Sequence, residues 1–149
     1  MGHNHARCLA SMKGVDLIGV VDPDVEKSTR VASMYECRPL RSIQELPRVD
    51  AAVISVPSAL HAEVGCELMA RGVHCLIEKP LALDREQAEL LVGTADSAGV
   101  VLQVGHIERF NPAVRQLKAL VEDGMVLVAN ARRMSAVSGR VTDIDVVMD

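Results

Sequence analysis

Aromatic residues are almost missing. Tyr35 and Phe110 stand alone among 149 residues, and there is no tryptophan. Any core has to be built from Val, Leu, Ile, Ala and Met, the palette of a buried parallel sheet with covering helices. A basic surplus is missing too: 16 Lys plus Arg face 20 Asp plus Glu, a formal net charge of −4, which excludes the basic surface that nucleic acid requires. No run reaches the ~18 unbroken apolar residues of a membrane span, and no basic segment with an apolar core and cleavage site opens the sequence. A soluble cytoplasmic protein with no membrane partner is expected. Cys8, Cys37, Cys66 and Cys75 form no CxxC pair and read as small buried hydrophobes. His3, His5, His61, His74 and His106 include no i, i+4 pair, so no metal site is expected. With 49% apolar and 24% charged residues, the chain has the composition of a folded domain able to bury ~68–70% of its unfolded surface.

Apolar runs alternate with helical periods. Residues 16–22 form a short apolar run ending in Asp22, and Asp22-Pro23-Asp24 then offers an N-cap with proline at the first helical position. Ser42-Ile43-Gln44-Glu45 fits a capping box that Pro47 stops. A strand over 51–56 ends at Pro57, and a helix over 58–71 carries Leu60, Val64, Leu68 and Met69 as its buried stripe, with Gly72 at C′. Residues 73–77 form a strand ending in Glu78-Lys79-Pro80. Asp84 caps a helix through Leu90, Leu91 and Ala95 to Gly99, residues 100–104 form a further strand, and Asn111-Pro112 opens a helix that Gly124 ends. Strands separated by helices of this length imply right-handed crossovers and an α/β fold with a doubly wound parallel sheet. A domain boundary is placed at about Gly124, with residues 125–149 beginning a second domain.

Ligands of open α/β sheets bind beyond the carboxyl ends of the strands, where Asp22, Pro57, Glu78-Lys79-Pro80 and Gly105-His106 would converge. Gly2 precedes a helix, and Asp22 follows twenty positions later, the spacing at which dinucleotide-binding units place the acid that holds the adenosine ribose. Spacing alone leaves two readings open at each point. Asp22 is equally an N-cap, Glu78-Lys79 a solvated charge pair, and His61 a satisfied core or helix-surface histidine.

Four stretches together resemble the Gfo/Idh/MocA family of NAD(P)-dependent oxidoreductases. They are Met1-Gly2-x-x-His5-Ala6 as the end of a GxGxMGxxHA turn, Val20-Val21-Asp22, Ser55-Val56-Pro57 with His61, and Ile77-Glu78-Lys79-Pro80 as an EKP motif. Residues 104–112, VGHIERFNP, look like the family's VGxxxRFxP helix entry, in a form similar to members acting on nucleotide-linked amino sugars.

The resemblance implies a Rossmann-type domain over 1–124 that lacks its first strand, then the start of an α/β substrate domain over 125–149. It implies NAD as cofactor, with Gly2, His3, Asp22, Pro57, His61, Glu78 and Lys79 lining its site. Asp22 would accept from the ribose hydroxyls and repel a 2′-phosphate, which favours NAD over NADP. Lys79 would carry positive charge near a developing alkoxide, and Asp149 would match the Asp of a DxxxH segment whose catalytic His comes four residues later. The implied activity is hydride transfer between nicotinamide and a hydroxyl of a sugar, cyclitol or nucleotide sugar, by an enzyme that is a homo-oligomer at full length. An incomplete chain is implied at both ends, unstable and inactive by itself. The other reading is a non-catalytic dinucleotide-binding or inert piece.

Overall fold

Asp24 opens the clearest local structure in the chain. Its Oδ1 accepts the backbone N–H groups of Glu26 and Lys27, capping a helix over Val25–Met34. A computed structural model describes residues 1–122 together with Gly124, Val128 and Asn130. In chain order the helices are α1 (Gly2–Ser11), α2 (Val25–Met34), α3 (His61–Ala70), α4 (Arg85–Ala98) and α5 (Pro112–Glu122), and the strands are β1 (Gly19–Val21), β2 (Arg38–Leu40), β3 (Ala51–Ile54), β4 (His74–Ile77) and β5 (Leu102–Val104). Short 3₁₀ turns occupy Ile43–Glu45, Ser58–Leu60 and Ile107–Phe110. The chain divides into two compact units, residues 1–104 and 105–149.

In the first unit every strand pairing is parallel, as the alternation of strands and helices requires. β1 pairs with β2, Gly19 opposite Arg38, while β3, β4 and β5 form a second block in that order, with Ala51 opposite His74 and Cys75 opposite Leu102. Among the described residues no strand is hydrogen-bonded between β1 and β3. α2 packs on β1 and β2, α1 reaches β3, and α3 lies against α4, β3 and β4.

The core is the ring-free one that the composition demands. Ile54, Leu68, Met69, Cys75, Ile77 and Leu91 are buried together, and burying an aliphatic side chain of this size is worth ~1.5–3 kcal/mol. Burial pushes the Cys75 thiol up to about 11, so it behaves as a hydrophobe. The other three cysteines correct the expectation: Cys8 is exposed on α1, and Cys37 and Cys66 are half-buried. Leu60 also differs from its expected burial and faces outward, because α3 buries the face carrying His61, Ala62, Gly65, Leu68 and Met69; on α4, Leu91 and Ala95 turn inward and Leu90 outward.

Gly65 is what allows α3 to approach. A Cβ there would stand 2.7 Å from Leu91 Cδ2 and 2.9 Å from Ile77 Cδ1, both fully buried. Gly65→Ala is therefore expected to destabilise the fold by about 1–3 kcal/mol, read as a lowered urea midpoint. An unchanged midpoint would mean that α3 and α4 can part without loss.

Several breaks fall where turn chemistry puts them. Gly72 and Gly99 take φ of +80° and +66° at the ends of α3 and α4. Asp84 Oδ1 accepts the Gln87 N–H at the start of α4. Ser42 departs from the expected capping box: its side chain caps nothing, while Glu45 Oε2 accepts the Arg41 N–H over a single 3₁₀ turn. In the second unit Asn111 Oδ1 accepts the Ala113 N–H and opens α5 at Pro112. Residues 125–149 as the start of a second domain, Asp149 included, fall outside the described residues apart from Val128 and Asn130. No helix of the described residues is long and apolar enough to cross a membrane.

Candidate functional site

The carboxyl end of β4 carries Glu78, Lys79 and Pro80. β4 is buried at Ile77, which fixes the direction in which the chain leaves the sheet, and the Lys79–Pro80 peptide is cis. Glu78 is only 6% exposed, an unusual position for a carboxylate without a counter-group. The counter-group is His5 in the first turns of α1, whose Nε2 donates to Glu78 Oε1 at 2.6 Å. The other carboxylate oxygen, Oε2, accepts the backbone N–H of Lys79 at 3.2 Å. One short bond thus ties the first helix to the end of β4, across 73 positions of sequence.

Beside it, the segment after β3 passes close to the start of α1: a Cβ on Gly2 would stand 2.9 Å from Ser55 Oγ. Val56 and Pro57 follow, and His61 returns from the start of α3 to brace them. His61 is 1% exposed, with Nδ1 2.8 Å from the Pro80 carbonyl oxygen and Nε2 3.0 Å from that of Val56. Both partners are acceptors, so a ring with one N–H serves only one of them while the doubly protonated ring donates to both. Each ring nitrogen thus faces a main-chain carbonyl, and His61 lies between the two segments that carry them.

Asp22 closes β1, with its own N–H bonded to the Leu40 carbonyl, and its Oδ1 accepts the Asp24 N–H at 2.8 Å. Asp24, not Asp22, is the cap of α2. The Lys27 ammonium lies 3.0 Å from Asp24 Oδ2; that bond holds the Asp24 carboxyl below its ordinary range and raises Lys27. His3 is exposed on α1, its ring 5.7 Å from that of Tyr35.

The structure thus gathers Gly2, Ser55, Pro57, His61, Glu78 and Lys79 around the ends of β3 and β4. Asp22 stands at the end of β1, in the other block. His5, which carries the central bond, had no role assigned from sequence. Its signal was available, since a histidine in the first turns of α1 and an acid ending a strand both belong to the carboxyl edge. Among the described residues no group of three His, Cys, Asp or Glu side chains could hold a metal ion.

Comparisons with known proteins fit this arrangement. The family model for the oxidoreductase family with an NAD-binding Rossmann fold, GFO_IDH_MocA, matches residues 1–106. The chain is 39% identical over 150 aligned residues to UDP-N-acetylglucosamine 3-dehydrogenase of Acidithiobacillus ferrooxidans, covering all of this chain and 47% of that protein. A crystal form of that dehydrogenase superposes with a TM-score of 0.75 over 81% of this chain and 40% of its own. GenD2 from gentamicin A biosynthesis, solved in complex with NAD, gives 0.80 at 32% identity over 83% of this chain and 36% of its own. KijD10, a 3-ketoreductase from Actinomadura kijaniata in complex with NADP, gives 0.74 at 26% identity over 80% and 39%. The chain spans under half the length of these relatives. It belongs to the Gfo/Idh/MocA oxidoreductase family and has that family's NAD-binding Rossmann fold.

Proposed function

We propose that this chain is the dinucleotide-binding part of an NAD-dependent dehydrogenase acting on a hydroxyl of a sugar, cyclitol or nucleotide sugar. The observation that carries this reading is the junction of α1 with the Glu78-Lys79 turn through His5, which sets a helix N-terminus and a strand-end lysine at one sheet edge. Gly2, without a side chain at the start of α1, lets a pyrophosphate approach main-chain N–H groups and the positive end of the helix. Asp22 holds one oxygen on Asp24 and would offer the other to the ribose hydroxyls. Pro57 and His3 would flank the same nucleotide.

Bound NAD would supply the hydride acceptor. Lys79 keeps positive charge where the substrate oxygen becomes an alkoxide as its carbon loses hydride, the point at which a fixed cation lowers the barrier. The hydroxyl proton passes to a base; in the family's DxxxH pattern, whose Asp Asp149 would match, the catalytic His follows four residues later. Residues 1–124 would form the cofactor domain and 125–149 the start of the substrate domain, through which the cytoplasmic enzyme would form homo-oligomers. A nucleotide sugar is favoured within the substrate class by the VGHIERFNP segment and the 39% identity to a UDP-N-acetylglucosamine dehydrogenase.

Cofactor choice tests the nucleotide end of the site. Asp22, Pro23 and Asp24 put two carboxylates after β1, and the nearby Lys27 is held by Asp24, so a 2′-phosphate would meet like charge. The intact protein is expected to bind NADH on the order of tenfold or more tighter than NADPH in a nicotinamide-fluorescence titration, and Asp22→Ala to narrow the gap. Equal or tighter binding of NADPH by the unaltered protein would remove Asp22 from the ribose site.

A further inference from the structure

The His5–Glu78 bond has a consequence for chemistry at the neighbouring residue. Glu78 is buried and uses both carboxylate oxygens inside the protein, Oε1 toward His5 at 2.6 Å and Oε2 toward the Lys79 N–H at 3.2 Å. The second bond is local and fixes the main chain of Lys79 only as firmly as the carboxylate itself is held. The first bond supplies that hold, from a different element, on a histidine that is itself half-buried. The residue after Lys79 is bound as well, since the Pro80 carbonyl faces His61 Nδ1 at 2.8 Å. The lysine backbone is thus held on both sides by histidines of two different helices, α1 before it and α3 after it.

We infer that His5 is a positioning residue: through Glu78 it sets the backbone of Lys79, and with it the direction of the Lys79 side chain. The inference rests on the functional reading above for its effect on catalysis, but the mechanical tie stands on the hydrogen bonds alone. His5 also lies in the same first turns of α1 as Gly2, so the pyrophosphate end and the reacting end of the site share one helix turn. A displacement of the lysine by about 1 Å is enough to cost on the order of 10²-fold in rate.

The test uses the intact protein labelled with 15N-lysine, with Lys79 assigned by comparison with Lys79→Arg. Three forms are compared: unaltered, His5→Ala, and His5→Gln, whose amide can donate from near the position of Nε2. In His5→Ala the Lys79 amide resonance should move and its hydrogen exchange quicken, kcat should fall on the order of tenfold or more, and KM for NAD should change far less. His5→Gln should recover the amide position and most of kcat. A Lys79 amide that His5→Ala leaves in place would overturn the tie. A displaced amide with unchanged kcat would overturn the positioning role. Failure of His5→Gln to recover either, in a protein that unfolds at the same temperature as the unaltered one, would also count against it. If the unaltered protein turns over none of the sugars, cyclitols or nucleotide sugars offered, the functional reading fails, and the amide comparison still decides whether His5 holds Lys79.

Discussion

Replacing Lys79 by alanine in the intact protein is expected to lower kcat by on the order of 10²-fold or more while the protein stays folded. The separation of these two effects has a structural reason. The buried Glu78 carboxylate, the Lys79 N–H and the Pro80 carbonyl all hold this turn in the fold, and substitution of the lysine side chain leaves all three in place. Truncation removes a cation from beside the reacting oxygen and leaves the turn standing. Steady-state kinetics with the true substrate, beside thermal unfolding, measures both quantities. An unchanged kcat would remove Lys79 from the reacting end of the site.

His61→Ala is expected to do the reverse, acting first on stability. The imidazole is 1% exposed and bridges the Val56 and Pro80 carbonyls at 3.0 and 2.8 Å. Alanine leaves both acceptors without the ring and opens a space of imidazole size against α3. A lost hydrogen bond is worth about 1 kcal/mol and the unfilled volume adds to it, a total of about 2–4 kcal/mol against a typical domain stability of ~5–15 kcal/mol. Urea unfolding should show the midpoint falling in proportion, with His61→Gln losing less because its amide can still donate to one carbonyl. An unmoved midpoint in His61→Ala would show that the bridge carries no stability and that water replaces it at no cost.

Local chemistry was legible in the sequence, and angles between elements were not. Asp84 and Asn111 as caps, and Gly72 and Gly99 as helix stops, follow from hydrogen bonds and φ values decided within four residues. The parallel sheet followed from the alternation of elements, and the ring-free core from composition. Leu60 was misplaced because the face a helix buries depends on how its neighbour docks. Gly65 sets that docking, and it reads in sequence only as a small residue inside a helix. The capping box at Ser42 failed because in the 3₁₀ turn the Glu45 N–H goes to the Ser42 carbonyl rather than to the serine side chain, and the Glu45 carboxylate reaches Arg41 instead.

At the site, Gly2, Asp22, Pro57, His61, Glu78 and Lys79 were legible as strand-end or helix-start positions. Their connections were not. The bond between His5 and Glu78 joins residues 73 apart, and the burial of His61 on two carbonyls is a property of the folded turn rather than of any motif. The same distinction assigns the residues different work: Gly2, Asp22 and Lys79 face the ligand under the proposed function, whereas His5, Glu78 and His61 hold the frame.

Hydrogen exchange of the intact protein with and without saturating NAD addresses the whole proposal at once, because it reports where the dinucleotide lies as well as whether it binds. Protection should appear in peptides covering residues 2–6, 20–24, 54–58 and 77–80, the start of α1 and the carboxyl ends of β1, β3 and β4. No protection at these four segments, or protection confined to a surface remote from them such as the outer face of α4 around Ala88 and Val92, would contradict a dinucleotide site at this sheet edge.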